Sequence, residues 1–232
     1  MDDINNILND IKKSALNNLF YRDYDSAIDD LKKAEVLDQQ NPEILFNLGI
    51  AYSRKGLYKT ANDYFTKVLN LNISYINSAN VKKNIAFCFI QSKDYDKALN
   101  ILDEVINDFS ADIQALNMKG YCLEKKGRIR DALKTYREIF NHDRSNINSL
   151  NSSSYLMALL GIELESALKI AKFVYNKDKT NPAYNDTLGY AHMKLGNYAE
   201  AEKYLNAAAY LLPFNEEINE HIRELDRLKS EL

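Results

Sequence analysis

The side chains best equipped for chemistry in this 232-residue sequence are Cys88, Cys122, His142, His192 and His221, set among 33 carboxylates. A thiolate nucleophile or a zinc site needs a base, or further ligands, at defined spacing. Cys88 and Cys122 lie 34 residues apart, each ten residues before an alanine (Ala98, Ala132), and Ala51 and Ala191 fill the same place elsewhere. A position that takes Cys and Ala interchangeably reads as small and buried. Equivalent points of successive structural units would also sit beyond the ~7 Å Cα separation that a disulfide tolerates. The histidines form no i, i+4 pair and no Cys/His set with metal spacing; His192 takes the place of Tyr52, a packing position. The carboxylates, as in Tyr95-Asp96-Lys97-Ala98, fall at solvated helix starts. With no nucleophile–base–orienter set and no Gly-rich phosphate loop, the chain is expected to be non-catalytic, without cofactor or metal.

Composition narrows the partners. Lys and Arg number 30 against 33 Asp and Glu, a formal net charge of −3, and no single-sign block stands out. That balance argues against a nucleic-acid binder, which carries a basic patch or high pI. No stretch approaches the ~20 apolar residues of a membrane helix, so no membrane insertion is expected. The start, Met1-Asp2-Asp3-Ile4, has neither the basic nor the apolar region of a signal peptide, and implies a cytoplasmic protein if Met1 is the native start. Asn is frequent, as at Asn70, Asn72, Asn77, Asn80 and Asn84, and compositional bias is the simplest reading of that.

The elements that would position any site are written in a ladder of six alanines. Ala27, Ala61, Ala98, Ala132, Ala167 and Ala201 are spaced 34, 37, 34, 35 and 34 residues apart. A period near 34 is that of stacked helix hairpins, and a small residue is needed where two helices cross at roughly 8–10 Å. Three residues before each alanine stand Tyr24, Tyr58, Tyr95, Ile129, Leu164 and Tyr198; seven after stand Ala34, Val68, Val105, Ile139, Val174 and Ala208. Gly49, Gly120 and Gly189, twelve before the alanine, imply close helix contact. Gly56, Gly127 and Gly196, five before, and Gly161, six before, end the first helix of each hairpin. Asn41-Pro42 and Asn181-Pro182 read as an N-cap followed by Pro at the first helical position.

The Leu48-Gly49-x-x-Tyr52, Gly56-x-Tyr58, Ala61, Phe65, Val68 series resembles the tetratricopeptide repeat, as does Leu188-Gly189, Gly196-Asn197-Tyr198, Ala201, Ala208 and Pro213. The resemblance covers nearly the whole chain and implies an all-α, right-handed superhelical solenoid. Six repeats are placed at about 8–41, 42–78, 79–112, 113–146, 147–181 and 182–214, after an extension over residues 1–7. Residues 215–232 are expected to form a capping helix, with Asn215 as N-cap and Ile218, Ile222, Leu225 and Leu228 on one face. Three extra residues fall within Asn72–Ser78. The fifth repeat departs furthest, with Asn151-Ser152-Ser153-Ser154 inside a helix, and is expected to be the weakest.

In this family the first helix of each hairpin lines a concave groove, and the resemblance implies the same here. Projected onto those helices, Leu16, Ile50, Phe87, Tyr121, Tyr155 and Tyr190 form one row, and Asn47 and Asn84 lie three residues before two of them. Phe46, Asn117 and Asn151 lie one turn away. Rings can bury the side chains of an extended peptide while amides pair with its N–H and C=O groups. The partner-binding residues are therefore expected to be Phe46, Asn47, Asn84, Phe87, Asn117, Tyr121, Asn151, Tyr155 and Tyr190. Arg54, Lys125 and Lys194, each seven before a ladder alanine, suit either an acidic partner or, more simply, the helix C-termini at which they stand. Relatives that grip chaperone-tail carboxylates use a Lys/Asn clamp; of its places here (Lys12, Leu16, Asn47, Asn80, Asn84) only Lys12 and Asn47 match, so that ligand is not implied. The expected function is a scaffold, monomeric on its own, that binds a protein or peptide segment in the groove. The alternative is a subunit of a larger assembly that contacts through its ends or convex face.

Overall fold

The computed structural model describes residues 2–71 and 77–231, with side chains from Asn5 onward. These residues form thirteen α-helices and no strand. They divide into two compact units, Met1–Cys122 and Leu123–Leu232. The first holds α1 (Asp2–Phe20), α2 (Tyr24–Leu37), α3 (Pro42–Arg54), α4 (Tyr58–Asn70), α5 (Ser78–Gln91), α6 (Tyr95–Asp108) and most of α7 (Ile113–Lys125). The second holds α8 (Ile129–His142), α9 (Ile147–Leu160), α10 (Leu164–Tyr175), α11 (Pro182–Lys194), α12 (Tyr198–Leu211) and α13 (Glu216–Ser230). Residues 2–7, set apart above as an extension, belong to α1. The insertion expected within Asn72–Ser78 lies outside the described residues, apart from Asn77 and Ser78 at the start of α5.

Within each unit, successive helices pack pairwise: α1 on α2, α2 on α3 and so on to α5 on α6, then α8 on α9 through to α12 on α13. The alanine ladder explains the pairing. All six alanines have no exposed surface, and the residues seven positions later are at most 1% exposed. The residue three before each alanine is the first residue of α2, α4, α6, α8, α10 or α12. Close approach is real at Gly49, where a Cβ would fall 2.5 Å from the Phe65 ring, and at Gly189, 2.7 Å from Leu205.

The helices begin and end on local chemistry. Asn41, Asn77, Asn146, Asn181 and Asn215 each accept a backbone N–H in the first turn of α3, α5, α9, α11 and α13. Part of the asparagine wealth is thus N-capping rather than compositional drift. The chain turns through a left-handed residue five positions before the ladder alanine: Gly56, Gly127 and Gly196, but also Arg22 (φ 62°) and Lys93 (φ 60°). In the fifth hairpin, the extra residue separates two such positions, Gly161 and Glu163. The serines of that hairpin are integrated into the packing: Ser154 is fully buried and its hydroxyl donates to the carbonyl of ladder Ala167 at 2.7 Å.

Candidate binding groove

The expected row of rings and amides divides into two different environments. In the first unit, Phe46 of α3, Asn84 and Phe87 of α5, and Asn117 and Tyr121 of α7 surround an opening of about 520 Å³. Phe87 and Tyr121 remain 39% and 41% exposed, unusual for rings in a packed repeat. Phe46 is half-buried and leans on Phe65 of α4, ring centroids 5.6 Å apart. Tyr121 meets Tyr95 edge-on at 6.5 Å. Asn84 Nδ2 donates to the carbonyl of Asn80, and Asn117 Nδ2 to that of Ile113, each at 2.9 Å. Each bond pins an amide to its own helix one turn back and leaves an oxygen and a second N–H without a partner among the described residues. Asn47 is half-buried on α3 and does not line the opening.

Asn80, Lys83, Ile90, Gln91, Gln114 and Met118, none of them among the nine expected residues, also line this opening. They were within reach of the same argument. Asn80 is one turn before Asn84, Gln91 one turn after Phe87, and Gln114 three residues before Asn117, so all continue the same helical faces.

The second unit presents the opposite case. Tyr190 of α11 is 2% exposed, and Tyr155 of α9 is half-buried against it with centroids 5.3 Å apart. The cover is α13. His221 lies 4.3 Å from the Tyr190 ring and 5.7 Å from that of Tyr155. Its Nδ1 is 2.8 Å from Asp186 Oδ1, and its Nε2 is 3.4 Å from the Tyr155 hydroxyl. With Asp186 as acceptor, Nδ1 carries the proton and Nε2 can accept from Tyr155. Burial pushes the Asp186 carboxyl above its usual range, with the His221 contact pulling the other way. Burial also raises the Tyr155 and Tyr190 hydroxyls. Lys194 Nζ pairs with Glu224 of α13 at 2.7 Å. Asn151 is half-buried on α9, its Oδ1 enclosed without a hydrogen-bond partner among the described residues. Tyr155 and Tyr190 therefore pack against α13 and do not form an open face.

A larger cavity of about 740 Å³ lies between α8, α9 and α10, and none of the nine candidate residues lines it. An Arg137–Glu163 ion pair at 2.9 Å stands on its wall. The two cysteines are buried and unpaired; burial lifts both thiols, Cys122 to about 12, far from the reactive range. Among the described residues, no cluster of His, Cys, Asp and Glu could hold a metal ion, and no helix is long and apolar enough to cross a membrane.

Paired helices stacked on a ladder of small residues define a helical-repeat protein. Tetratricopeptide-repeat profiles match residues 23–56, 42–72, 84–111, 113–146 and 182–215, and the chain belongs to this family. Proteins of the family are generally protein-interaction scaffolds. A TPR repeat-containing protein of Methanocaldococcus jannaschii is 28% identical over 155 residues, which is 64% of this chain and 26% of the relative. The chain thus spans about a quarter of the length of the curated relatives it matches. A tetratricopeptide repeat protein from Parabacteroides merdae shares the fold with a TM-score of 0.78 at 15% identity, over 97% of this chain and 88% of that one. YrrB, described as a TPR protein with an unusual peptide-binding site, has a TM-score of 0.61 at 16% identity, over 83% of this chain and 97% of its own.

Proposed function

We propose that the chain is a non-catalytic scaffold whose first unit holds an extended segment of a partner protein between α3, α5 and α7. The observation that carries this reading is the half-exposure of Phe87 and Tyr121 beside the pinned amides of Asn84 and Asn117, all around one opening. Burying a ring of this kind removes roughly 80 Å² from water and contributes about 2 kcal/mol to binding. A photo-crosslinking amino acid placed at Phe87, and separately at the exposed Phe173 of α10, tests it. A partner captured from position 87 only, and lost when Tyr121→Ala is added, supports the groove; equal capture from both positions sinks it.

A second reading, a subunit of a larger assembly, is favoured by one surface feature. Tyr210 and Phe214, at the turn from α12 to α13, are 87% and 99% exposed. Large rings so exposed mark contact surfaces. Light scattering across a concentration series separates the readings: self-association relieved by Phe214→Ser supports assembly, and a monomer at all concentrations supports the scaffold.

A further inference from the structure

We infer that the groove between α3, α5 and α7 accepts an uncharged stretch from the interior of an extended polypeptide, and not a free C-terminal carboxylate. The inference rests on the groove reading above and adds the chemistry of its ligand.

The first observation is charge. Among the described residues Lys83 is the one charged side chain lining the opening, and it is already neutralised. Its Nζ lies 2.8 Å from Asp112 Oδ2, with the two side chains only 11% and 15% exposed. Asp112 is held in turn at the start of α7, where its Oδ1 accepts from the N–H of Ala115 at 2.9 Å. An incoming carboxylate would have to take Lys83 from a carboxylate that is positioned, part-buried and engaged in N-capping. Losing a well-formed pair to gain an equivalent one yields little. Three further lysines of the first unit are held in ion pairs as well: Lys82 with Glu104 at 2.8 Å, Lys119 with Asp103 at 2.7 Å, and Lys12 with Glu43.

The second observation is the kind of polar group that is left. Among the described residues Asn84 and Asn117 each keep one N–H and one carbonyl oxygen unused, on amides already fixed by a bond to their own helix. A peptide group presents the matching donor and acceptor, whereas a carboxylate offers only acceptors and would leave both amide oxygens unpaired. Asn80, Gln91 and Gln114 extend the same neutral character. Between the amides, Phe87, Met118 and Tyr121 offer apolar surface for one bulky side chain of the segment.

The test uses the full chain and random 12-residue peptides displayed in two formats, one flanked on both sides by carrier and one ending in a free carboxylate. Selected sequences are then synthesised as free acids and as C-terminal amides. The expected result is enrichment of neutral sequences with an aromatic or aliphatic anchor. Their affinities should agree within about twofold between acid and amide, and between 50 and 500 mM NaCl, since screening acts on charge pairs. Asp112→Asn keeps a competent N-cap but releases Lys83. It should shift preference toward the free acid by about tenfold, the worth of one charge-assisted hydrogen bond. Wild-type preference for acidic or free-acid peptides, weakened by salt, overturns the inference while the groove stands. So does an Asp112→Asn variant that gains no acid preference. Binders indifferent to Phe87→Ala and Tyr121→Ala, or no binders in either format, overturn the groove and the inference together.

Discussion

Tyr121 and Tyr190 occupy the same register position, eleven residues before a ladder alanine, yet one is 41% and the other 2% exposed. The difference arises from a neighbour and not from the residue. In the second unit, α13 lays His221 on the Tyr190 ring and ties Asp186 and Lys194 to itself. In the first unit, α7 presents Tyr121 at an opening. A repeat position is therefore a place in a lattice of helices, and whether it becomes core or open surface depends on what packs over it.

The largest test of this contrast is truncation of the two rings. Tyr190→Ala should destabilise the second unit by about 3–5 kcal/mol, as for other buried aromatics, whereas Tyr121→Ala should cost less than about 1 kcal/mol. Thermal melts of the two variants measure this, and equal shifts would break the comparison. Next is the polar clasp beneath α13. Asp186→Ala leaves His221 Nδ1 buried without its acceptor, an expected loss of about 1–3 kcal/mol. A variant with unchanged denaturant midpoint would show that the clasp adds nothing to the docking of α13.

A third test concerns acid. Tyr52 stacks on Tyr64 at 5.5 Å in the second hairpin, and His192 stacks on Tyr204 at 5.8 Å at the same register in the sixth. His192 is buried with Nδ1 unpartnered among the described residues, and burial, with Lys172 adding to it, holds its pKa below the usual histidine value. A folded pKa below the unfolded one gives stability that is present above about pH 6.5 and is lost as the pH falls through the lowered value. His192→Tyr should restore the tyrosine stack and narrow the gap between melting temperatures at pH 7.5 and pH 5 by about 2–4 °C. An unaltered gap would place the acid sensitivity elsewhere. The smallest effect belongs to the turns. Lys93→Gly relieves a left-handed backbone that Gly56 adopts without strain, and should stabilise by about 0.5–1 kcal/mol. Destabilisation in urea would mean that the Lys93 side chain contributes more than its backbone costs.

The sequence carried the lattice clearly and its covering poorly. The alanines, the tyrosines that open the second helices and the turn glycines are each required by local geometry, so their types recur. Arg22 and Lys93 are silent because their left-handed conformation is imposed by the register, and nothing in an Arg or a Lys announces it. The burial of Tyr155 and Tyr190 was hidden for another reason. It depends on His221, which falls between Ile218 and Ile222 on the packed face of α13 but reads as polar. In the groove, Phe87 and Tyr121 were legible as a row, whereas the neutralising Asp112 was not, because a helix N-cap and an ion-pair partner share one side chain 29 residues from Lys83.

The asparagine caps and left-handed turns have a consequence for how such a chain can grow. The start of α3 is set by Asn41 and its end by Gly56; α11 is set by Asn181 and Gly196 in the same way. Start and stop signals thus lie within a few residues of the helix they bound, while side-chain packing runs mainly between neighbours in sequence. A whole hairpin, copied with its own Asn and its own left-handed turn, would bring its punctuation with it and would need only a neighbour's alanine to rest against. Chain length can change by hairpins of about 34 residues without rewriting the ones already present.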